Sequence, residues 1–220
     1  MQAEDFGLVQ EGISWMCVRD PLDEDRIHRL MPADALRVRG RHNAMNALAA
    51  LALCRAATPA LAPLLHGLRE FRGAAHRVQW VAQIRDVDFI DDSKGTNVGA
   101  TVAALNGLGK RVVLIAGGEG KGQDFTPLRE PISRHAQAVV LIGRDAPAIE
   151  KAIAPLSVEI IHAKNMDEAV ARAFSKAIAG QAVLLSPACA SFDMFESYVH
   201  RAQVFVTEVQ KLAVSEGVAC

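Results

Sequence analysis

Asp91, Asp92, Ser93, Lys94, Thr96 and Asn97 crowd into one short run, Asp-Asp-Ser-Lys-Gly-Thr-Asn, directly after the apolar stretch Val87–Ile90. Two more polar knots follow apolar β-type runs: Gly-Gly-Glu-Gly-Lys-Gly-Gln-Asp-Phe from Gly117, and Ser-Pro-Ala-Cys-Ala-Ser-Phe-Asp from Ser186. In an open α/β sheet, loops at the carboxyl ends of the strands converge on a crevice, and helix starts there present free backbone N–H groups. Lys94, Thr96, Lys121, Ser186 and Ser191 would together offer cations and hydroxyls to an anion carrying more than one carboxylate or phosphate.

Each knot also has a plainer reading. The glycine-rich run is neither a Walker A loop nor a G-x-G-x-x-G fingerprint, and alone it reads as a flexible turn. Ser186 to Ser191 alone reads as a strand end with a proline and a serine cap. The Asp91–Asn97 run is harder to dismiss, because capping a helix needs only one such residue. In Arg-His-Asn-Ala-Met-Asn, His42 or Asn43 can cap a helix, whereas Asn46 falls inside its first turn. Asn is a weak helix former, so its amide there suits a ligand contact. Arg77 reads as a surface ion-pair residue or as a phosphate contact at a domain junction. The other histidines lack metal-pair spacing, and Trp15 and Trp80 read as packing residues.

The elements that must hold these residues divide near residues 73 to 76. Before that point, Phe6–Gly12, Ile13–Asp20 and Ala35–Gly40 read as three short strands, with Pro21 and the acidic run Asp23–Asp25 in a connection. An alanine- and leucine-rich helix starts at His42, and a second helical stretch, Ala62–Phe71, is punctuated by Pro59 and Pro63. Beyond Gly73, Arg77–Ser93 reads as a hairpin. Apolar runs at Arg111–Gly118, Ala138–Asp145, Val158–Ala163 and Gln181–Ala188 then alternate with helices near 98–108, 126–136, 145–154 and 166–179. A last helix is expected from about Phe192. Continuous β-branched runs alternating with helices indicate an α/β fold with a mostly parallel sheet covered on both faces.

Bulk properties narrow the function. The chain has 220 residues, half of them hydrophobic, enough for one large domain or one domain with a piece of another. A net charge of -1 with scattered basic residues provides no footprint for nucleic acid or an anionic membrane. Cys17, Cys54, Cys189 and Cys220 form no C-x-x-C pair, which fits reduced thiols in a cytoplasmic protein rather than a zinc site or disulfides. No leader and no uninterrupted membrane-length apolar run is read.

Taken in order, Gly40–Leu53, His76–Val81, Asp91–Asn97, Ala116–Phe125 and Leu184–Phe195 resemble the Mur ligase family, in its D-glutamate-adding branch. Asp-Ser-Lys-x-Thr-Asn and Ser-Pro-Ala-x-Ala-Ser are the specific parts. The resemblance implies residues 1–74 as the end of a central ATP-binding domain and 75–220 as a C-terminal Rossmann-like domain. It implies ATP-dependent amide-bond formation through an acyl phosphate, with D-glutamate joined to UDP-N-acetylmuramoyl-L-alanine and magnesium ligands upstream of this sequence. For D-glutamate it implies Thr96 and Lys121 at the α-carboxylate, Ser191 and the backbone near Tyr198 at the side-chain carboxylate, and Lys94 beside the reacting groups in a catalytic role. For ATP it implies Asn43 and Asn46 near adenine, Asp92 near ribose and Arg77 at the phosphates.

Neither the phosphate-cradling loop nor a UDP-binding domain is in the sequence, so the chain is expected to be the C-terminal part of such a ligase, monomeric and inactive alone. Three departures stand out: Glu119 where aspartate is common, Tyr198 where phenylalanine is common, and Gly95, expected to loosen its turn, where alanine is frequent. Two other readings are a non-catalytic module binding an acidic amino acid, and a folylpolyglutamate-type ligase. The first predicts a closed polar surface on residues 1–74, and the ligase reading predicts exposed apolar residues there.

Overall fold

A computed structural model describes residues 5–20, 23–38, 40–58 and 60–218. Pro21, Pro59 and Cys220 lie outside the described residues, as do the side chains of His42 and of Asp23, Glu24 and Asp25. The chain forms two compact units, Met1–Gly73 and Ala74–Cys220.

In the first unit, β1 (Phe6–Glu11), β2 (Ile13–Asp20) and β3 (Asp23–Pro32) make an antiparallel sheet in that order. Gly12, at φ 68°, turns the chain between the paired residues Glu11 and Ile13. Two helices follow, α1 (Arg41–Ala57) and α2 (Leu61–Glu70), and the core gathers Met16, Met31, Leu36, Ala44 and Leu48.

The third strand is not at Ala35–Gly40, where the sequence places it, but at Asp23–Pro32, so the acidic run opens a strand rather than a connection. Charged residues carry low β-propensity, yet an edge strand tolerates them, and backbone pairing to β2 outweighs the preference. Ala33–Ala35 is instead a 3-10 turn, and Leu36 drops into the core behind it. Ile13, Ile27, Met45, Leu53 and Phe71 remain exposed, and no residue of α2 is buried.

The second unit follows the alternating pattern closely. Its strands are β4 (Gln79–Ile84), β5 (Val87–Asp91), β6 (Val112–Gly117), β7 (Ala136–Ile142), β8 (Glu159–His162) and β9 (Ala182–Leu185). They form one six-stranded sheet in the order β4-β5-β9-β6-β7-β8, parallel except for β4 against β5. The hairpin turns at Arg85 and Asp86, both at positive φ, as a two-residue turn with the strands' own twist requires.

Successive strand residues face opposite sides. Leu114, Leu141 and Leu184 pack toward α3 (Val98–Gly107), α4 (Arg129–His135) and α5 (Ala146–Ile153). Val113, Val140 and Val183 pack toward α6 (Met166–Lys176) and α7 (Tyr198–Ser215). Each fully buried Val or Leu contributes about 1.5–3 kcal/mol, so both faces of the sheet hold the strand ends in place.

The last helix begins at Tyr198, six positions beyond the expected Phe192, where Ser197 accepts a hydrogen bond from the His200 N–H at 3.1 Å. The intervening Phe192–Ser197 extends the loop after β9. Among the described residues, no helix is long and apolar enough to cross a membrane.

Candidate functional site

Strand register levels the three knots. Asp91 and Ile115 both pair with Leu185, so β5, β9 and β6 end side by side and their following loops share one rim.

The glycine-rich loop is not a loose turn. Gly117 N–H donates to the Pro187 carbonyl at 2.8 Å, and Glu119 and Ala190 exchange two backbone hydrogen bonds at 2.9 Å each. Gly117 and Gly118 sit at φ 122° and 129°, and a Cβ on either would collide with the carbonyl of Ile142 or Ala190. Glycine is required by close backbone approach here. Glu119, in the aspartate position, pairs with Arg144 at 3.1 Å.

The loop after β5 is tied down as firmly. Asp92 is 5% exposed; its Oδ2 accepts from the Ser186 hydroxyl at 2.7 Å and its Oδ1 from the Val78 N–H at 3.2 Å. Burial pushes the Asp92 carboxyl up to about 6, against the opposing hydrogen bonds from Ser186 and Val78; Asp91 adds to the rise and Arg77 offsets part of it. Ser186 is itself fully buried, so its hydroxyl serves this brace.

Gly95 lies in the same turn, and an added Cβ would stand 2.6 Å from Asp92 Oδ2 and 3.0 Å from Ser186 Oγ. The glycine therefore tightens the turn over the Asp92–Ser186 pair, the reverse of the loosening expected from sequence. Gly95→Ala is expected to cost about 1–3 kcal/mol by overpacking. Chemical denaturation of parent and variant measures this, and an unchanged midpoint would contradict it.

Lys94 Nζ lies 5.5 Å from the Tyr198 ring centroid, and Lys121 Nζ lies 5.7 Å from that of Phe192. Among the described residues neither ammonium has an ion-pair partner, and the Thr96 and Ser191 hydroxyls make no hydrogen bond. Ser191 is 2% exposed, on the loop that leads into the first turn of α7. Lys121 sits in the left-handed region at φ 54°. A cation at strained backbone, resting on a ring instead of a carboxylate, is available to an incoming anion.

Contacts not foreseen from sequence, and one residue, Arg201, support this rim. Asp91 accepts from the Ser93 N–H at 2.8 Å and pairs with His76 Nδ1 at 2.7 Å, while the His76 carbonyl accepts from the Lys94 N–H at 3.1 Å. Arg201 is fully buried and donates to Ser93 Oγ, the Ser93 carbonyl and the Cys189 carbonyl at 3.0, 2.8 and 3.1 Å. One signal for it was present: Arg201 falls four and eight residues before Phe205 and Val209, on the apolar stripe of α7.

Asn43 and Asn46 lie in the first unit, three residues apart on α1, with Asn46 exposed. Arg77, in the second, is exposed just before β4. Among the described residues, no group of three His, Cys, Asp or Glu side chains gathers as a metal site.

Residues 76–189, which include the loops after β5 and β6, match the family described as Mur ligase, glutamate ligase domain. The chain belongs to the Mur ligase family. This Mur ligase chain is 55% identical over 236 residues to the UDP-N-acetylmuramoylalanine–D-glutamate ligase of Ralstonia nicotianae, covering 98% of the chain and 47% of that protein. It is 63% identical over 193 residues to the ligase of the same name from Cupriavidus metallidurans, covering 88% and 38% respectively. The chain thus spans less than half the length of these curated relatives.

Among solved structures, the fold is shared with UDP-N-acetylmuramate-alanine ligase of Thermotoga maritima (TM-score 0.63, 20% identity, 96% of this chain and 44% of that one). It is shared equally with folylpolyglutamate synthase of Mycobacterium tuberculosis (TM-score 0.64, 15% identity, 93% and 46%). At those identities the likeness is one of fold alone.

Proposed function

We propose that this Mur ligase chain carries the amino-acid-binding part of an ATP-dependent ligase that joins D-glutamate to UDP-N-acetylmuramoyl-L-alanine in peptidoglycan precursor synthesis. The observation that carries the reading is the pair of unpaired ammoniums, Lys94 and Lys121, with the open hydroxyls of Thr96 and Ser191 on three interlocked loops. Two cations and two hydroxyls suit a small dicarboxylate. Identity of 55% and 63% to D-glutamate ligases, against 15% to the folylpolyglutamate synthase, favours the D isomer.

In this reading Thr96 and Lys121 hold the α-carboxylate, and Ser191 with the α7 first turn near Tyr198 holds the side-chain carboxylate. Lys94 stands beside the attacking amine, where its charge stabilises the developing oxyanion. Fixing both carboxylates aims the amine along one line, so positioning and charge neutralisation do most of the work.

ATP, when bound, supplies the phosphoryl group that activates the acceptor carboxylate. The residues present fit it. Arg77 is an exposed cation suited to phosphate, and Asp92, with two donors already bound, keeps lone pairs for a ribose hydroxyl. The phosphate-cradling loop and magnesium ligands come from residues not in this sequence, and the exposed apolar side chains of the first unit accord with its being part of a larger domain. The 220-residue chain alone is expected to show no ATP-dependent ligation.

Calorimetric titration with D- and L-glutamate tests the reading. D-glutamate is expected to bind and L-glutamate to bind more weakly; preference for the L isomer would favour a folylpolyglutamate-type ligase, and binding of neither would remove the assignment. Lys121→Ala is expected to weaken D-glutamate by about 1.5–3 kcal/mol, the value of a charge-assisted carboxylate contact. An unchanged affinity would take Lys121 out of the site.

A further inference from the structure

The three rim loops share one side chain. Gln123 follows Lys121 by two residues, and its carboxamide reaches both other loops. Its Oε1 accepts from the Val98 N–H at 3.0 Å, at the start of α3, and its Nε2 donates to the Ala188 carbonyl at 2.7 Å, in the loop after β9. Val98 N–H can only donate and the Ala188 carbonyl can only accept, so the amide fits one way round. Val98 and Ala188 are both buried, and Ala188 is at φ 57°, a conformation that alanine does not choose unaided.

We propose that Gln123 is a positioning residue for the dicarboxylate site: it sets the spacing of Lys121 relative to Lys94 and Thr96 on one side and Ser191 on the other. This rests on the proposed D-glutamate reading. Neither of its nearest relatives in shape does the same work at this position. Asparagine is one methylene too short, and ionised glutamate would accept from Val98 but repel the Ala188 carbonyl. The backbone bridge between Glu119 and Ala190 joins only two of the loops; Gln123 adds the third.

The test uses the 220-residue chain with Gln123→Ala and the isosteric Gln123→Glu at neutral pH, titrated with D- and L-glutamate. Both variants are expected to bind D-glutamate about tenfold more weakly and to lose discrimination against the L isomer, because the site is displaced rather than deleted. A merely stabilising role would lower the melting temperature and leave that discrimination intact, which would overturn the proposal. If the parent chain binds neither isomer, the functional reading fails separately. Amide exchange then decides the brace: Val98 must exchange faster in Gln123→Ala, which loses its acceptor, and Ala190 faster in both variants than in the parent, and unchanged exchange at Ala190 refutes it.

Discussion

Arg201→Ala loses about 3–5 kcal/mol of stability in the second unit, the range for breaking a buried charged network. The guanidinium is fully buried, and its three hydrogen bonds hold Ser93 in the loop after β5 and Cys189 in the loop after β9. Burial lowers its pKa to about 10, with Cys189, Asp193, Asp91 and Asp92 acting in the opposite sense, so it remains a cation at neutral pH. Truncation leaves two interior carbonyls without donors and removes a buried positive charge that interacts with Asp193, Asp91 and Asp92. A cavity adds to the cost.

Arg201→Lys keeps the charge but not the planar fork, and is expected to recover only part of the loss. Amide exchange from β6 and β9 under native conditions measures the global opening of this unit. A loss below about 1 kcal/mol would mean that the fork contributes no more than an ordinary surface pair.

The second large effect is a dependence on pH from Asp92. Its folded pKa, about 6, lies above the ordinary 3.8, so between those values the folded state binds more protons than the unfolded state. Stability therefore falls as pH rises through this window, and the Asp92 contribution is most favourable below it. At about 1.4 kcal/mol per pH unit, the shift amounts to roughly 2–3 kcal/mol between pH 4 and pH 7. The difference in stability between parent and Asp92→Asn isolates this group, since an amide does not titrate. That difference should move in favour of the variant as pH rises. A constant difference across the window would show that the carboxyl keeps its ordinary affinity for protons.

Much of the second unit was legible. Its parallel strands are buried on both faces and so appear as unbroken apolar runs. Helices α3 and α6 start at Asn97 and Asn165, whose side chains accept from Ala100 and Glu168 N–H groups, as local capping chemistry predicts. The edge strand β3 was misplaced because pairing, not composition, makes it a strand. The start of α7 was misplaced because Phe192, though apolar, is on the loop and exposed.

Types and spacing alone placed Lys94, Thr96, Lys121 and Ser191 each just beyond a strand, since strand and turn signals act over a few neighbouring residues. Which strands stand together is a different matter: backbone ladders are chemically uniform, and only the folded chain inserts β9 between β5 and β6. The partners that secure the rim, His76 with Asp91 and Arg201 with Ser93, are 15 and 108 residues apart, and Gln123 grips Ala188 across 65. Contacts over such separations leave no local pattern, because their energy exists only once the sheet has brought the loops to one edge.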